Sequence, residues 1–358
     1  MKSITGIFIC VVVALFFLSC SAGADRTDKT ERYSTEFLNV FDTLTQLIAF
    51  AENRAKFDGF AEFILAELEE YHCLYDIYSD YEGMANLKTV NDNAGTAPIM
   101  VDIRIVDLVE FAREQHELSG GKMNIAYGAV TSIWREHCEK AAEDPASALL
   151  PSYERLIEAS THTNIQDLIV DRAASTVYLR DPDMRLDVGA IAKGFAVEQT
   201  VARAEKMGYT SFLINAGGDV RASGGRGSAK EPWVVGIQDP GADGGLLATV
   251  NITDMSVATS GDYHRSFTID GKKYHHIIDT DTMFPSEYHS SVTVVCRDFG
   301  LADALSTALF NMPQEQGEAM LRKVNAEAMW VLRDGAIKYS AGFLDFSANQ
   351  AGYADSAG

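Results

Sequence analysis

The chain has 358 residues, of which 47% are hydrophobic and 23% charged, and a formal net charge of −21. That length buries one large core or two modest ones. The negative charge excludes a general nucleic-acid binder and repels anionic lipid headgroups, so any phosphate site must bring its own metal, lysine or backbone N–H groups.

Lys2 precedes an apolar run over residues 7–18 that is short for a bilayer span but suits the hydrophobic region of a signal peptide. The run ends in Phe17-Leu18-Ser19-Cys20, and residues 21–29 are small and polar. A small residue before a cysteine at the end of such a run resembles a bacterial lipobox. The reading is a signal peptide over 1–19 and a tether over 20–32 lipidated at Cys20, with an ordinary cleaved signal as the alternative. Cys73, Cys138 and Cys296 are too widely spaced for a disulfide framework and lack zinc spacing, so they read as buried structural thiols.

Further along, Phe57, Phe60, Phe63, Ile64, Leu68 and Tyr71 recur at helical spacing. A second helix over 103–119 stops at Gly120-Gly121, and a third covers 153–159, so the first half reads mostly helical. The second half alternates. Residues 168–170 and 177–179 predict a hairpin, and 195–207 a helix ended by Gly208. Strands follow at 211–215, 233–237, 248–252, 267–269 and 292–296, with Asp270-Gly271 as a hairpin turn. Helices at 302–310 and 314–324 precede a last strand pair, 329–332 and 337–339. This order is neither a βαβ series nor a sandwich, so an α+β fold is expected over a doubly wound one. Glycine-rich stretches at 224–227 and 241–245 read as flexible without separating domains, leaving one unit over 33–347 and a flexible tail over 348–358.

Five stretches carry candidate chemistry. LDVGAIAKGFAVEQ (186–199) puts an acidic residue at a strand end, then a glycine turn and a helix start beside Lys193. Helix-start N–H groups and that lysine suit phosphate oxygens, although a packed turn alone explains the pattern. INAGGDV (214–220) offers close backbone approach at Gly217-Gly218, or a plain turn. ATSGDYHR (258–265) is a polar loop after a strand, offering hydroxyls and Asp262, or a solvated hairpin loop. In YHHIID (274–279) two adjacent histidines on a strand face opposite sides, so at most one enters a pocket as nucleophile or proton carrier; the alternative is a buried, satisfied histidine. In ADALSTALF (302–310) Asp303 and Thr307 share a helix face, and a carboxylate with a hydroxyl suits Mg²⁺; an Asp303 N-cap is the alternative.

Together these stretches resemble the ApbE family of FAD:protein FMN transferases. The matches are the Asp187 to Gly194 turn, Asn-Ala-Gly-Gly-Asp at 215–219, Trp-x-x-Gly-Ile-x-x-Pro at 233–240, and Thr-Ser-Gly-Asp-Tyr at 259–263. His-Ile-Ile-Asp at 276–279 and Ala-Asp-Ala-x-x-Thr-Ala at 302–308 complete the set, and Phe41-Asp42-Thr43 lies near the family's Met-Gly-Thr. Thr280 and Met283 stand where the family has Pro and Gly, and Met123-Asn124-Ile125-Ala126-Tyr127-Gly128 replaces its Phe-Asp-x-Thr-x-Gly.

The resemblance implies a single-unit, T-fold-like α+β architecture with an antiparallel sheet and flanking helices. It also implies Mg²⁺-dependent transfer of FMN from FAD to a Ser or Thr hydroxyl, with release of AMP. By that resemblance the Ala190 carbonyl, Asp303 and Thr307 hold Mg²⁺, and His276 handles the FMN phosphoryl. Phe41, Tyr78, Asn124, Asp187, Lys193, Gly217, Ser260 and Ile277 contact the flavin nucleotide. The implied acceptor is a flavoprotein of a membrane redox complex of the Rnf or Nqr type, outside the cytoplasm, beside which a lipid anchor would hold the enzyme in a periplasmic setting. A Mg²⁺-dependent FAD pyrophosphatase giving FMN and AMP uses the same site, and a non-catalytic flavin-binding lipoprotein is the reading from another class.

Overall fold

Two long strands open the described part of the chain, β1 (Glu31–Val40) and β2 (Thr43–Ala51), joined by a two-residue turn. The structure, a computed structural model, describes residues 30–241, 245–263 and 265–347. The signal segment, Cys20, the middle of the 241–245 stretch, His264 and the tail over 348–358 lie outside the described residues.

Helices α1 (Arg54–Tyr75) and α2 (Leu87–Asp92), strand β3 (Ile99–Met100) and helices α3 (Ile103–Leu118), α4 (Gly128–Glu143) and α5 (Tyr153–Ser160) follow. Next come β4 (Leu168–Asp171), β5 (Thr176–Leu179) and α6 (Ala192–Lys206). Strands β6 (Phe212–Ala216), β7 (Asp219–Ser223), β8 (Trp233–Gln238), β9 (Leu246–Ile252), β10 (Ser256–Gly261), β11 (Ser266–Ile269), β12 (Lys272–His275) and β13 (His289–Cys296) succeed it. Helices α7 (Phe299–Phe310) and α8 (Gln314–Leu321) and strands β14 (Ala326–Leu332) and β15 (Ile337–Tyr339) close the chain.

One eight-stranded sheet, in the order β1-β2-β6-β7-β10-β13-β14-β15, organises the molecule. All its pairings are antiparallel. Strand alternation then sorts side chains between two cores. Leu47, Ile214, Val294 and Trp330 join the larger core with α1, α3, α6 and α7. Their neighbours Ile48, Leu213, Val295 and Met329 face the other way, against Trp233, Val235 and Val250 of the β8–β9 hairpin. Tyr127, Val130, Ile133, Trp134, Leu156 and Ile278 form a third, smaller cluster joining α4 and α5 to the segment after β12. This is the α+β architecture with an antiparallel sheet and flanking helices that the sequence predicts.

Several elements differ from the sequence reading. The first half, mostly helical as expected, also carries β1 and β2, which the sequence reading left unassigned, and β1 starts at Glu31, inside the stretch read as tether. Residues 256–261 form β10 in the middle of the sheet rather than a loop, since Ser256, Ala258 and Gly261 are small enough to be buried there. The 224–227 stretch is packed instead of loose: a Cβ on Gly224 would lie 2.2 Å from the Thr210 carbonyl, and Trp233 Nε1 donates to the Gly224 carbonyl at 3.1 Å. Of the three cysteines only Cys296 is buried; Cys73 and Cys138 are half-buried, and burial raises all three thiols above the ordinary cysteine range.

Candidate active site

The site begins where two helices touch. Asp298 caps α7 by accepting from Leu301 N at 2.8 Å, so Asp303 lies inside the helix and is no N-cap. Asp303 is 7% exposed, and its Oδ2 accepts from the Gly194 N–H at 2.8 Å. In an α-helix that N–H would bond the carbonyl four residues back, here Ala190. Among the described residues no donor reaches the Ala190 carbonyl. A Cβ on Gly194 would stand 2.5 Å from Asp303 Cβ and 2.7 Å from the Phe299 carbonyl, so glycine here is what lets α7 approach α6.

Around this junction lies a charged and hydroxylated cluster. Lys193 Nζ is 2.7 Å from Asp219 Oδ2 and 3.4 Å from Asp303 Oδ2, and Asp219 Oδ1 accepts from Thr259 N at 2.7 Å. Burial opposes the Lys193 charge, but Asp219 and Asp303 outweigh it and hold the ammonium above the ordinary lysine range. Burial pushes the Asp303 carboxyl up, against Lys193 and the Gly194 N–H. Ser260 Oγ lies 2.9 Å from Ser306 Oγ and 3.2 Å from Thr307 Oγ1. A buried carboxylate, the Thr307 hydroxyl and the unclaimed Ala190 carbonyl are the hard oxygen donors a magnesium ion takes, with positions left for water and phosphate oxygens. The residues present fit the metal.

Beside this cluster the backbone is strained. Phe41 and Asp42, joining β1 to β2, each have φ +52°, a region costly for residues with a Cβ. Phe41 N donates to His72 Nδ1 at 3.3 Å, and the Phe41 ring meets the His72 ring edge-on at 5.7 Å. The next residue, Thr43, packs on Gly217, where a Cβ would come within 2.4 Å of Thr43 Oγ1. Gly217 and Gly218, with φ +66° and +103°, turn β6 into β7 and deliver Asp219 to Lys193. Phe41, Gly217, Lys193, Ser260, Asp303 and Thr307, spread over most of the sequence, therefore converge through these contacts.

The Asp187 carboxylate starts the turn into α6: Oδ1 accepts from Gly189 N at 3.0 Å, and Oδ2 from Thr131 Oγ1 at 2.7 Å and Arg135 Nη2 at 2.8 Å. The Arg135 guanidinium lies 4.8 Å above the centre of the Tyr78 ring. Arg135, Thr131, Ser306 and Asp219 are site residues that sequence reasoning did not assign. Asp219 stood within the glycine motif, whereas α4 offered no signal beyond its amphipathic pattern.

The histidine pair separates at the end of β12. His275 is 2% exposed; its Nε2 meets the Ser286 carbonyl at 2.9 Å and its Nδ1 accepts from Ile277 N at 3.2 Å. Burial lowers its pKa to about 4, so it is a neutral, satisfied histidine. His276 stands past the strand, on an exposed bend. Ile277 is buried in the larger core, with its carbonyl accepting from Ser286 N at 3.0 Å. Asn124 is used locally: Oδ1 accepts from Ala126 N at 2.9 Å and Nδ2 donates to the Thr163 carbonyl at 3.0 Å. A second group, His162, Asp181 and Asp183, brings ligand atoms within 4.8 Å, but His162 and Asp181 already pair at 2.8 Å.

Residues 41–330, which contain every part of this site, match the model of the ApbE family. The chain belongs to the ApbE family. It is 32% identical to a FAD:protein FMN transferase of Treponema pallidum, over 95% of this chain and 94% of that protein. It is 30% identical to one from Klebsiella pneumoniae, over 78% of this chain and 85% of the relative. The crystal structure of an ApbE protein from Thermotoga maritima superposes with a TM-score of 0.78 at 28% identity, covering 88% of this chain and 99% of that one. The Vibrio cholerae flavin transferase ApbE, at 23% identity and TM-score 0.74 over 89% of this chain and all of the other, shares the fold. Within the ApbE fold, then, the α6–α7 junction and the paired glycine turn are the positions that converge.

Proposed function

We propose that this protein transfers FMN from FAD to a Ser or Thr hydroxyl of an acceptor flavoprotein and releases AMP, with Mg²⁺ at Asp303, Thr307 and the Ala190 carbonyl. The observation that carries the reading is the α6–α7 junction, where a buried carboxylate takes the Gly194 N–H and leaves the Ala190 carbonyl unclaimed. The name shared by its relatives, FAD:protein FMN transferase, supports the same chemistry.

The metal would supply neutralisation of pyrophosphate charge in a reaction where positioning and charge stabilisation do most of the work. Lys193, held protonated by two carboxylates, adds a fixed positive charge for the phosphates. The acceptor oxygen forms a bond to the FMN phosphorus as the P–O bond to AMP breaks. His276, exposed beyond β12, manages the proton or phosphoryl at that step. FAD contacts fall to Phe41, Tyr78, Asp187, Gly217 and Ser260, while Asn124 and Ile277 act through the backbone they order. The reading also gives Cys20 a lipid that tethers the enzyme, outside the cytoplasm, next to a membrane redox acceptor of the Rnf or Nqr type.

The test is incubation with FAD, Mg²⁺ and a purified acceptor flavoprotein, followed by assay of AMP and of covalent flavin on the acceptor. Covalent flavin that is lost on chelation and in Asp303→Asn is expected. AMP without covalent flavin would make the protein a pyrophosphatase, and full activity of Asp303→Asn would remove the metal assignment.

A further inference from the structure

We infer that Arg135 is a positioning residue that sets the spacing between a ring-stacking platform and the phosphate end of the site; this rests on the reading that the site takes FAD. Three segments distant in sequence meet at this arginine. Tyr78 lies just after α1, where its N–H donates to Asp76 Oδ1 at 2.6 Å. Asp187 begins the turn that carries Ala190 and Lys193, and Arg135 projects from α4 between them.

The contacts are of two kinds. The guanidinium lies over the Tyr78 ring at 4.8 Å, and its Nη2 donates to Asp187 Oδ2 at 2.8 Å. A planar guanidinium is suited to do both at once, since it stacks on a ring face while its edge donates in plane; an ammonium can pair and lie over a ring but offers no flat face to stack. Tyr78 is 56% exposed, and a tyrosine so open is otherwise free to change rotamer. Held from one side by Arg135, it offers a fixed flat surface on which a heteroaromatic ring can stack. Asp187 is held by Thr131 and Gly189 as well, so the arginine ties that surface to a rigid anchor. The distance from platform to Lys193 and Ala190 is thereby fixed, and a dinucleotide that spans it gains over one whose ring and phosphate must order the two ends separately.

The experiment measures FAD binding with Mg²⁺ by flavin fluorescence, together with KM and kcat for flavin transfer, in Arg135→Met, Arg135→Lys, Tyr78→Ala and the Arg135→Met/Tyr78→Ala double variant. We expect FAD affinity to fall about tenfold in each single variant, with KM rising and kcat changing far less. The double variant is expected to lose little more than Tyr78→Ala alone, because the arginine acts largely through the ring. Melting temperatures should stay near wild type, since Arg135 is 31% and Tyr78 56% exposed. Affinity unchanged in Arg135→Met, full rescue by Arg135→Lys, or simple additivity in the double variant would each overturn the inference. Should Arg135→Met not fold, Tyr78→Ala and Arg135→Lys decide it, and wild-type affinity in both overturns it. A wild-type protein that binds no FAD defeats the functional reading itself, and the inference with it.

Discussion

Replacing Gly194 by alanine adds one methyl group at the closest approach of α6 and α7. The new Cβ would lie 2.5 Å from Asp303 Cβ, 2.7 Å from the Phe299 carbonyl oxygen and 2.9 Å from Asp303 Oδ2. Two of the three obstacles are fixed to the α7 backbone, so rotating a side chain does not relieve them. Carbon atoms settle at about 3.5 Å or more, and the helices must therefore part by about 1 Å at this point. Overpacking of that kind costs about 1–3 kcal/mol, offset by about 1 kcal/mol of improved helix propensity, and in a chain of this size the net effect lowers Tm by only a few degrees. Function should suffer much more. A displacement of about 1 Å in a catalytic ligand costs on the order of a hundredfold in rate. The same shift breaks the 2.8 Å bond from Gly194 N to Asp303 and moves the carboxylate relative to the Ala190 carbonyl. The assay is Mg²⁺ titration by calorimetry alongside flavin transfer at saturating FAD. Transfer within about threefold of wild type, with unchanged Mg²⁺ affinity, would refute the argument that this contact sets the metal site.

Three further expectations follow from the structure and one from the sequence. His276→Ala should bind FAD normally and lose transfer by at least about a hundredfold, whereas His275→Ala should reduce stability more than chemistry, because His275 is buried and doubly bonded; equal loss of transfer in both, with folding intact by circular dichroism, contradicts a distinct role for His276. His275 has a folded pKa lowered to about 4 from 6.5, so the unfolded chain binds its proton first; its contribution is complete above about pH 6.5 and is lost as pH falls toward 4, by up to about 1.4 kcal/mol per unit, and the stability gap to His275→Gln measured by urea unfolding should narrow over that range. Met283 has φ +63°, so Met283→Gly should be tolerated and Met283→Val should be about 2 kcal/mol less stable than the glycine variant; the reverse order in thermal melts would show that side-chain packing outweighs the backbone there. Cys20→Ala should release the protein from membranes, and a variant that still sediments with them, or wild type without a lipid by mass spectrometry, counts against the anchor.

The helices of the larger core were legible because Phe57, Phe60, Ile64 and Leu68 keep their period, and α7 because its run from Leu301 to Phe310 is apolar apart from the residues that act. The strands nearest the chemistry were harder to read. In β7, Arg221 is 2% exposed and is paired with Glu198 at 2.8 Å, so a charge occupies a position where alternation predicts an apolar residue. In β10, Thr259 and Thr293 share a hydrogen bond of 2.9 Å across the sheet, and a run of hydroxyls reads as a loop. Strand alternation separated the two histidines on paper, but in the structure the separation comes from β12 ending at His275. Asp303 reads in sequence as either a cap or a ligand, and Asp298 filling the cap removes the first of these. Arg135 could not be inferred at all, because its partners Tyr78 and Asp187 lie 57 and 52 residues away and no local pattern encodes either contact.

The loop after His276 is fastened to a different part of the chain. Lys122 Nζ reaches Asp279 at 2.7 Å, Tyr127 donates to the Thr280 carbonyl at 3.3 Å, and Trp134 Nε1 donates to the Met283 carbonyl at 2.8 Å. The two segments so joined contain the positions where the chain departs from the family pattern, 123–128 on one side and Thr280 and Met283 on the other, and Tyr127 bonds directly across to Thr280. Losing Lys122 alone would leave the buried Asp279 carboxylate without its counter-charge, so the two segments are coupled energetically as well as by hydrogen bonds. For anyone splicing this enzyme with a relative, the usable exchange unit is discontinuous: residues 121–134 together with 279–284, while swapping either piece alone leaves its partner groups stranded.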